Sequence, residues 1–270
     1  MYTDYWQLTR PPFDTGCDPA FYYPSETHQG ALLKLRYAIE NRRGGGLLAG
    51  GSGLGKTLLV ESLKQTLPDT IGPVVHIVYP KMSAEQLLAF VAAQLGTPAD
   101  AATVDLHIRH IENQLNEAAE RGGHVVLVID EAHLLEDTGG LECVRLLLNF
   151  QRDGQPLMTI LLLGQTILLP IFDRLSGFEE RLGIKCLLRP LNLEETASYV
   201  NHRLNVAGAG RPIFEDAALD ALFAITGGVP RRINRLCDLA LLVGFADQLP
   251  AIAARQIEAV NDELVAVTPE

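Results

Sequence analysis

The stretch GGSGLGKT, residues 50–57, places four glycines within six positions and follows them at once with a lysine and a threonine. Main-chain N–H groups in such a bare loop can point together at an anion, and a helix that starts where the loop ends adds the positive end of its dipole. The spacing Gly50-x-x-x-x-Gly55-Lys56-Thr57 therefore predicts a loop that holds the phosphates of a nucleoside triphosphate. A tight turn between a strand and a helix is the alternative.

The positions of this loop, a Walker A motif, have expected roles. Lys56 is expected to reach the β- and γ-phosphates of ATP, and the Thr57 hydroxyl to coordinate Mg²⁺. ATP and Mg²⁺ are therefore the predicted cofactors. The predicted nucleotide-binding residues are Gly50, Gly51, Ser52, Gly53, Leu54, Gly55, Lys56, Thr57 and Leu58.

A second motif, VVLVIDEAH at residues 125–133, ends an apolar run with two acidic residues. Carboxylates at the end of a buried strand lose hydration, so they are costly there unless a metal, a water or a cation satisfies them. We expect Asp130 to hold the Mg²⁺ water shell and Glu131 to orient and deprotonate the attacking water, as in a Walker B motif. An N-cap aspartate at the start of a helix is the alternative for Asp130.

Strand and helix patterns alternate through the first two thirds of the chain, which predicts an α/β fold with a mostly parallel sheet and helices on both faces. Ser25, and Ser83 with Gln86, are expected to start helices. Further helices are expected near 56–66, 104–121 (with Ile108, Ile111 and Leu115 on one face) and 141–152. Strands are predicted at 74–80, 124–130, 158–164 and 184–190, and the run 47–50 leads into the glycine loop.

The strand signals stop near residue 192. Four amphipathic helices fit the remainder, near 193–207, 215–226, 230–246 and 253–266, separated by the breakers GAGRP, GGVP and DQLP. We therefore predict two domains. Residues 1–191 form an α/β nucleotide-binding domain with its N-terminal segment, and residues 192–270 form a small all-α lid.

Composition limits the partners. The 270 residues carry 22 basic and 33 acidic side chains, a net charge of −11, which disfavours broad attraction to nucleic acid or to an anionic membrane. Two local basic clusters, RRGGG at 42–46 and RRINR at 231–235, keep nucleic-acid binding open. The four widely spaced cysteines predict buried thiols in a reducing cytosol, and the N-terminal residues MYTDYWQLTRPPF show no export signal. Those cysteines are Cys17, Cys143, Cys186 and Cys237.

Several stretches together resemble the AAA+ ATPases of the ExeA type (general secretion pathway protein A-like), which are similar in turn to the transposition ATPases of the TniB and TnsC kind. The resemblance covers residues 2 to about 265. The stretches that carry it are PPF (11–13), DPAFYYPSETHQGALLKLRYAIENRRG (18–44), the glycine loop, IDEAH (129–133), LLLGQ (161–165) and GGVPRRINRLCDLAL (227–241).

The resemblance implies further site residues. Gln165 matches a first sensor that contacts the γ-phosphate or the water, and Arg231 a second sensor that reaches the phosphates from the helical lid. Arg181 matches the arginine finger that enters a neighbouring subunit's site, and Arg174 is the second candidate. A strand-end glutamine in a turn and solvated helix-face arginines are the alternatives.

The resemblance also brings the N-terminal segment toward the nucleotide base. Phe13, Tyr22, Tyr23 and His28 are therefore candidates for an adenine pocket, with core packing as the alternative. His133, two residues after Glu131, is interpreted either as a group that responds to nucleotide or as a packed histidine.

The functional prediction is an ATP-hydrolysing AAA+ protein that assembles with itself into a ring or filament and remodels or loads an unidentified protein partner, in a secretion or assembly process. The alternatives are a DNA-binding ATPase regulator of the transposition type and a nucleotide-dependent switch with little turnover. ExeA proteins continue into a membrane span and a peptidoglycan-binding region. Since these 270 residues contain neither, we expect a cytoplasmic ATPase module without a membrane span.

Overall fold

The computed structural model describes residues 1–96, 103–179 and 181–266. These residues fall into two compact units. We call the one built from residues 29–52 and 60–188 the sheet unit, and the one built from residues 1–28, 53–59 and 189–270 the helical unit. Helices α2 (Glu26–Glu40) and α3 (Lys56–Thr66) each contribute residues to both.

The sheet unit contains a five-stranded parallel sheet with the strand order β2-β3-β6-β1-β7. Before β6, two strands of two residues each, β4 and β5, pair antiparallel in a small hairpin. The strands are β1 Gly45–Gly50, β2 Ile71–Ile77, β3 His124–Ile129, β4 Gln151–Arg152, β5 Gln155–Pro156, β6 Met158–Gly164 and β7 Leu182–Leu188.

Burial follows the position of each strand in the sheet. Every residue of the inner strands β1, β3 and β6 is buried, as expected for parallel strands covered on both faces. The outer strands β2 and β7 are partly exposed. The predicted α/β parallel sheet is therefore confirmed, although β2 and β7 begin three and two residues before the predicted strands at 74 and 184.

Helices flank this sheet. The predicted start of α4 is confirmed, because the Ser83 Oγ accepts from the Gln86 N–H at 3.2 Å and the Gln86 Oε1 accepts from the Ser83 N–H at 2.9 Å. On α5, Ile111 and Leu115 are buried, but Ile108 is exposed, so the predicted apolar face was wrong at that position. The helices of this part of the chain are α4 Ala84–Gln94, α5 Val104–Glu120, α6 Gly140–Leu147, α7 Leu168–Arg174 and α8 Ser176–Glu179.

The helical unit contains the four predicted C-terminal helices, each with bounds within one residue of the expectation. They are α9 Leu193–Val206, α10 Asp216–Thr226, α11 Pro230–Ala246 and α12 Ala254–Ala266, and the short α1 Tyr2–Tyr5 opens the chain. Across the described residues, no helix combines the length and the apolar character that crossing a bilayer requires.

The N-terminal segment belongs to the core of this helical unit, whereas the sequence analysis grouped it with the α/β domain. Trp6, Phe13 and Phe21 are buried in that core. The Trp6 Nε1–H donates to the Leu241 carbonyl at 3.0 Å, and the Phe13 ring packs edge to face on Phe214 with ring centroids 6.1 Å apart. For Phe13, the core-packing interpretation is therefore the one that the contacts support.

A buried arginine fastens this segment to α9. Arg203 is 3% exposed, and its guanidinium donates to the Pro12 carbonyl at 2.6 Å and to the Asp14 carbonyl at 3.0 Å. It also donates to the Tyr199 hydroxyl at 2.9 Å and lies over the Phe21 ring at 4.5 Å. Main-chain carbonyls thus satisfy a charge that would otherwise be costly to bury.

The predicted burial of the cysteines is confirmed at three positions. Cys143, Cys186 and Cys237 are buried free thiols, whereas Cys17 is exposed, so the prediction of burial was wrong there. Burial raises the pKa of the Cys143 thiol to about 11, which keeps it protonated.

Replacing Arg203 tests the fastening of the N-terminal segment. We expect Arg203→Met to lower the free energy of unfolding of the helical unit by about 2–4 kcal/mol, because carbonyls at the segment lose their donors while the aliphatic stem remains. Trp6, the single tryptophan of the chain, lies in this core, so urea unfolding followed by its fluorescence measures the loss. Arg255→Met, at an exposed position of α12, is the control. Equal unfolding midpoints for the two variants would contradict the role of Arg203.

Candidate functional site

Three of the predicted site segments lie at one edge of the sheet. β1 ends at Gly50, Asp130 follows β3, and Gln165 follows β6. Because β6 pairs in parallel with β1 on one side and with β3 on the other, these carboxyl ends meet at the same edge. Ligands of parallel α/β sheets bind beyond this edge.

The glycine loop has the backbone that its sequence predicts. Gly53 (φ +78°) and Gly55 (φ +85°) both lie in the left-handed region, which favours residues without a Cβ. Helix α3 starts directly afterwards at Lys56, so the N–H groups of its first turn lie at the end of the loop. The Lys56 side chain is only 6% exposed, a rare environment for lysine.

Arg231 contacts the same loop within the helical unit. Its main-chain N–H donates to the Gly53 carbonyl at 3.2 Å, one residue into α11. A Cβ on Gly53 would lie 2.8 Å from the Arg231 Cβ and 3.3 Å from the Val229 Cγ1, so this close approach needs glycine. Arg231, predicted as the second sensor, thus lies against the glycine loop.

His28 also contacts the loop, through a bond that its sequence context does not predict. Its Nε2 lies 2.7 Å from the Leu54 carbonyl and its Nδ1 2.6 Å from the Ser25 Oγ. Burial lowers the pKa of His28, which keeps the ring neutral. Since a carbonyl can only accept, Nε2 carries the hydrogen and Nδ1 accepts from the Ser25 hydroxyl.

The acidic pair lies at the end of the buried strand β3. Asp130 is buried, its main-chain N–H donates to the Ile77 carbonyl at 2.8 Å, and its Oδ1 accepts from the Glu131 N–H at 2.8 Å. A short 3₁₀ helix, Ala132–Thr138, follows with Glu131 as its N-cap residue. The N-cap residue of this helix is thus Glu131, and the alternative interpretation of Asp130 as an N-cap was wrong.

The remaining candidates lie in the sheet unit and contact residues of the same unit. Gln165 is exposed at the end of β6. Arg174, at the end of α7, forms an ion pair with Glu136 at 3.0 Å, and the Arg181 guanidinium, just before β7, donates to the Asn149 side chain.

Comparison with known proteins supports the fold and the family. The AAA domain family matches residues 39–172. General secretion pathway protein A of Aeromonas hydrophila is 35% identical over 274 residues, which cover 97% of this chain. The chain spans 50% of the length of that relative.

Solved structures with low identity share the fold. The Aeropyrum pernix ORC2 protein in ADPNP–ADP complexes superposes with a TM-score of 0.70 at 17% identity, covering 94% of this chain and 71% of that one. The Drosophila ORC bound to DNA gives a TM-score of 0.70 at 18% identity over 97% and 66%. The Thermotoga maritima RuvB Holliday junction branch migration motor gives 0.58 at 19% identity over 87% and 69%.

The contact between Gly53 and Arg231 can be tested by adding one methyl group. We expect Gly53→Ala to lower the free energy of unfolding of the helical unit by about 2–5 kcal/mol, since a left-handed backbone and a clash with α11 both oppose alanine. Gly227→Ala is the matched control, because Gly227 also has a positive φ (+59°) in this unit but nothing lies within 4 Å of its added Cβ. Its expected cost is about 1–2 kcal/mol. Trp6 fluorescence during urea unfolding compares the two, and equal costs would mean that the close contact does not matter.

Proposed function

Because the chain belongs to the AAA+ proteins of the general secretion pathway protein A type, we propose that it binds ATP with Mg²⁺, hydrolyses it, and couples turnover to self-assembly and to the remodelling or loading of a partner. The observation that carries this proposal is the glycine loop, whose left-handed backbone leads into α3 at a buried lysine. This arrangement suits an anion with several oxygens.

The loop and two side chains bind the phosphates in this proposal. The main-chain N–H groups from Gly50 to Leu58 surround them, and Lys56 neutralises the β- and γ-phosphates. Arg231, whose main chain donates to Gly53, adds a second cation from α11. His28 holds the Leu54 carbonyl and so helps to fix the backbone of the loop.

The donor groups also suit a hard cation. The Thr57 hydroxyl and the Asp130 carboxylate are oxygen ligands, which Mg²⁺ prefers, and a buried carboxylate such as Asp130 benefits from a cation. When bound, Mg²⁺ neutralises charge on the phosphate oxygens. Asp130 and Thr57 would hold the metal and its water shell.

Glu131 is the proposed general base, and Gln165 orients the water or the γ-phosphate. The Glu131 Oε2 is buried and has no hydrogen-bond partner among the described residues. The Glu131 side chain is nevertheless 44% exposed, so its other carboxylate oxygen can accept a hydrogen bond from a water and take its proton.

Assembly completes the site in this proposal. Arg181, with Arg174 as the second candidate, supplies a cation to a neighbouring subunit and stabilises the charge of the transition state. Both arginines contact their own chain here, so each must exchange Asn149 or Glu136 for the neighbour's site.

The name of the Aeromonas relative favours a secretion process for this chain. DNA binding of the transposition-regulator kind is the alternative, and the similarity to an ORC structure bound to DNA keeps it in consideration. The net charge of −11 weighs against a broad electrostatic attraction to DNA.

Two substitutions separate binding from turnover. Lys56→Ala should abolish the binding of a fluorescent ATP analogue or nearly so, because the buried cation is lost. Glu131→Gln should bind the analogue normally and lower phosphate release by about 10²–10⁴-fold, as expected when a general base is removed. Glu142→Gln, an exposed glutamate of α6 paired with Arg145, is the control. Normal turnover by Glu131→Gln would exclude it as the base.

The dependence of turnover on protein concentration tests the contribution of a neighbouring subunit. ATPase activity per subunit should rise with concentration. Arg181→Ala should lower it by about 10³-fold or more in the assembled state. Arg152→Ala, an exposed arginine paired with Glu120, is the control, and Arg174→Ala tests the second candidate. Unchanged activity of assembled Arg181→Ala would make that assignment wrong.

The same assay decides between the protein-remodelling and DNA-binding functions. Stimulation by DNA at low salt that disappears as salt is raised would favour the transposition-regulator function. Unchanged activity with DNA at low salt would favour a protein partner.

A further inference from the structure

The close contact between the Glu131 carboxylate and the His133 ring plays no part in the proposed function, although Glu131 itself does. The His133 Nδ1 lies 3.4 Å from the Glu131 Oε2. Both atoms are buried, and neither has a hydrogen-bond partner among the described residues. Buried polar atoms are normally hydrogen-bonded, so two such atoms that face each other need an explanation.

The backbone at Glu131 sets this pairing. Glu131 has φ 48° and ψ 39°, a left-handed conformation that non-glycine residues adopt at some cost. Its N–H donates to the Asp130 Oδ1 at 2.8 Å, and the 3₁₀ helix starts with the next residue. The chain therefore turns sharply between Asp130 and His133, and this turn brings the His133 ring back toward the Glu131 carboxylate.

The position of the His133 ring is fixed by packing at the end of β6. A Cβ on Gly164 would lie 3.2 Å from the His133 Nδ1 and 2.5 Å from the Leu168 Cδ1. The absence of a side chain at Gly164 thus leaves the room that the ring occupies. The His133 side chain is 17% exposed, against 44% for Glu131, so the ring is the better-fixed member of the pair.

We propose that His133 is a positioning residue for ATP hydrolysis, which holds the Glu131 carboxylate through its Nδ1 so that the other carboxylate oxygen faces the attacking water. This inference rests on the proposed function, in which Glu131 is the general base. The present separation exceeds the usual hydrogen-bond range of about 2.7–3.2 Å, and a small rotation of the carboxylate closes it.

The chemical reason is orientation. A glutamate side chain has several rotatable bonds, and a base that is misplaced by about 1 Å can lose about 10²-fold in rate. An Nδ1–H that donates to Oε2 removes this freedom without taking part in proton transfer. His133 then affects the rate of turnover and leaves nucleotide binding unchanged.

Amide substitutions of different length provide a sharp test. Asparagine can place its N–H near the position of the histidine Nδ1, whereas glutamine places it one bond farther, near Nε2. We expect His133→Asn to keep kcat within about threefold of wild type. His133→Gln and His133→Leu should lower kcat by about 10–100-fold with an unchanged Kd for a fluorescent ATP analogue. His110→Leu, on α5 of the same unit, controls for the loss of a histidine elsewhere.

A double substitution distinguishes positioning from a general structural role. If His133 acts through Glu131, adding His133→Leu to Glu131→Gln should lower turnover no further. A further loss of turnover in the double variant would overturn the inference, and so would weaker binding of the ATP analogue by His133→Leu. Full activity of both His133→Gln and His133→Leu, with Glu131→Gln inactive, would also overturn it. If His133→Leu does not fold, the comparison of Asn with Gln decides. A wild-type protein without turnover would overturn the proposed function and this inference with it, whereas the outcomes above overturn the inference alone.

Discussion

Three inner strands of the sheet are parallel and buried on both faces, and this burial leaves only their ends for side chains that need water, a cation or a phosphate. Within β1, β3 and β6 every residue is buried, so any side chain that needs water, a cation or a phosphate has to follow the strand's end. Because the strands are parallel, their carboxyl ends meet at one edge, where Gly50, Asp130 and Gln165 emerge. The candidate site thus follows from hydrophobic burial and strand direction before any specific contact is considered.

In the helical unit, glycine and histidine act on the same loop in complementary ways. Gly53 removes a side chain so that the start of α11 can approach, and His28 adds a side chain whose Nε2–H holds the Leu54 carbonyl. Neither contact involves a group with a net charge at neutral pH, since burial lowers the pKa of His28. Two contacts between neutral groups therefore hold the backbone of the loop.

Local signals predicted the regular elements well. Apolar runs located the inner strands β3 and β6, and the Ser83–Gln86 spacing located the start of α4, because both signals depend on neighbouring residues. The β4–β5 hairpin was not predicted, although its Asp153-Gly154 pair, with positive φ at both residues, is a strong turn signal. Long-range contacts could not be predicted from signals between neighbouring residues. Trp6 packs in the helical core beside Leu241, and His28 bonds to Leu54. Both contacts join residues that are far apart in sequence, so no periodicity of the sequence encodes them.

The ion pair of Arg174 with Glu136 is compatible with a function in a neighbouring subunit, because a surface ion pair is worth far less free energy than an arginine finger in a transition state. Arg174 is 68% exposed and Glu136 47% exposed, and ion pairs in such a setting contribute about 0–1 kcal/mol. An arginine finger contributes about 10³–10⁵-fold to turnover, which corresponds to about 4–7 kcal/mol. Releasing the arginine from Glu136 would thus cost only a small part of what it provides in the transition state. Arg181 has no ion pair to break at Asn149, because this partner is neutral and forms only a hydrogen bond with it. In the proposed function, a cation that is weakly held in its own chain, and strongly favoured where charge develops in a neighbour, would make turnover depend on assembly.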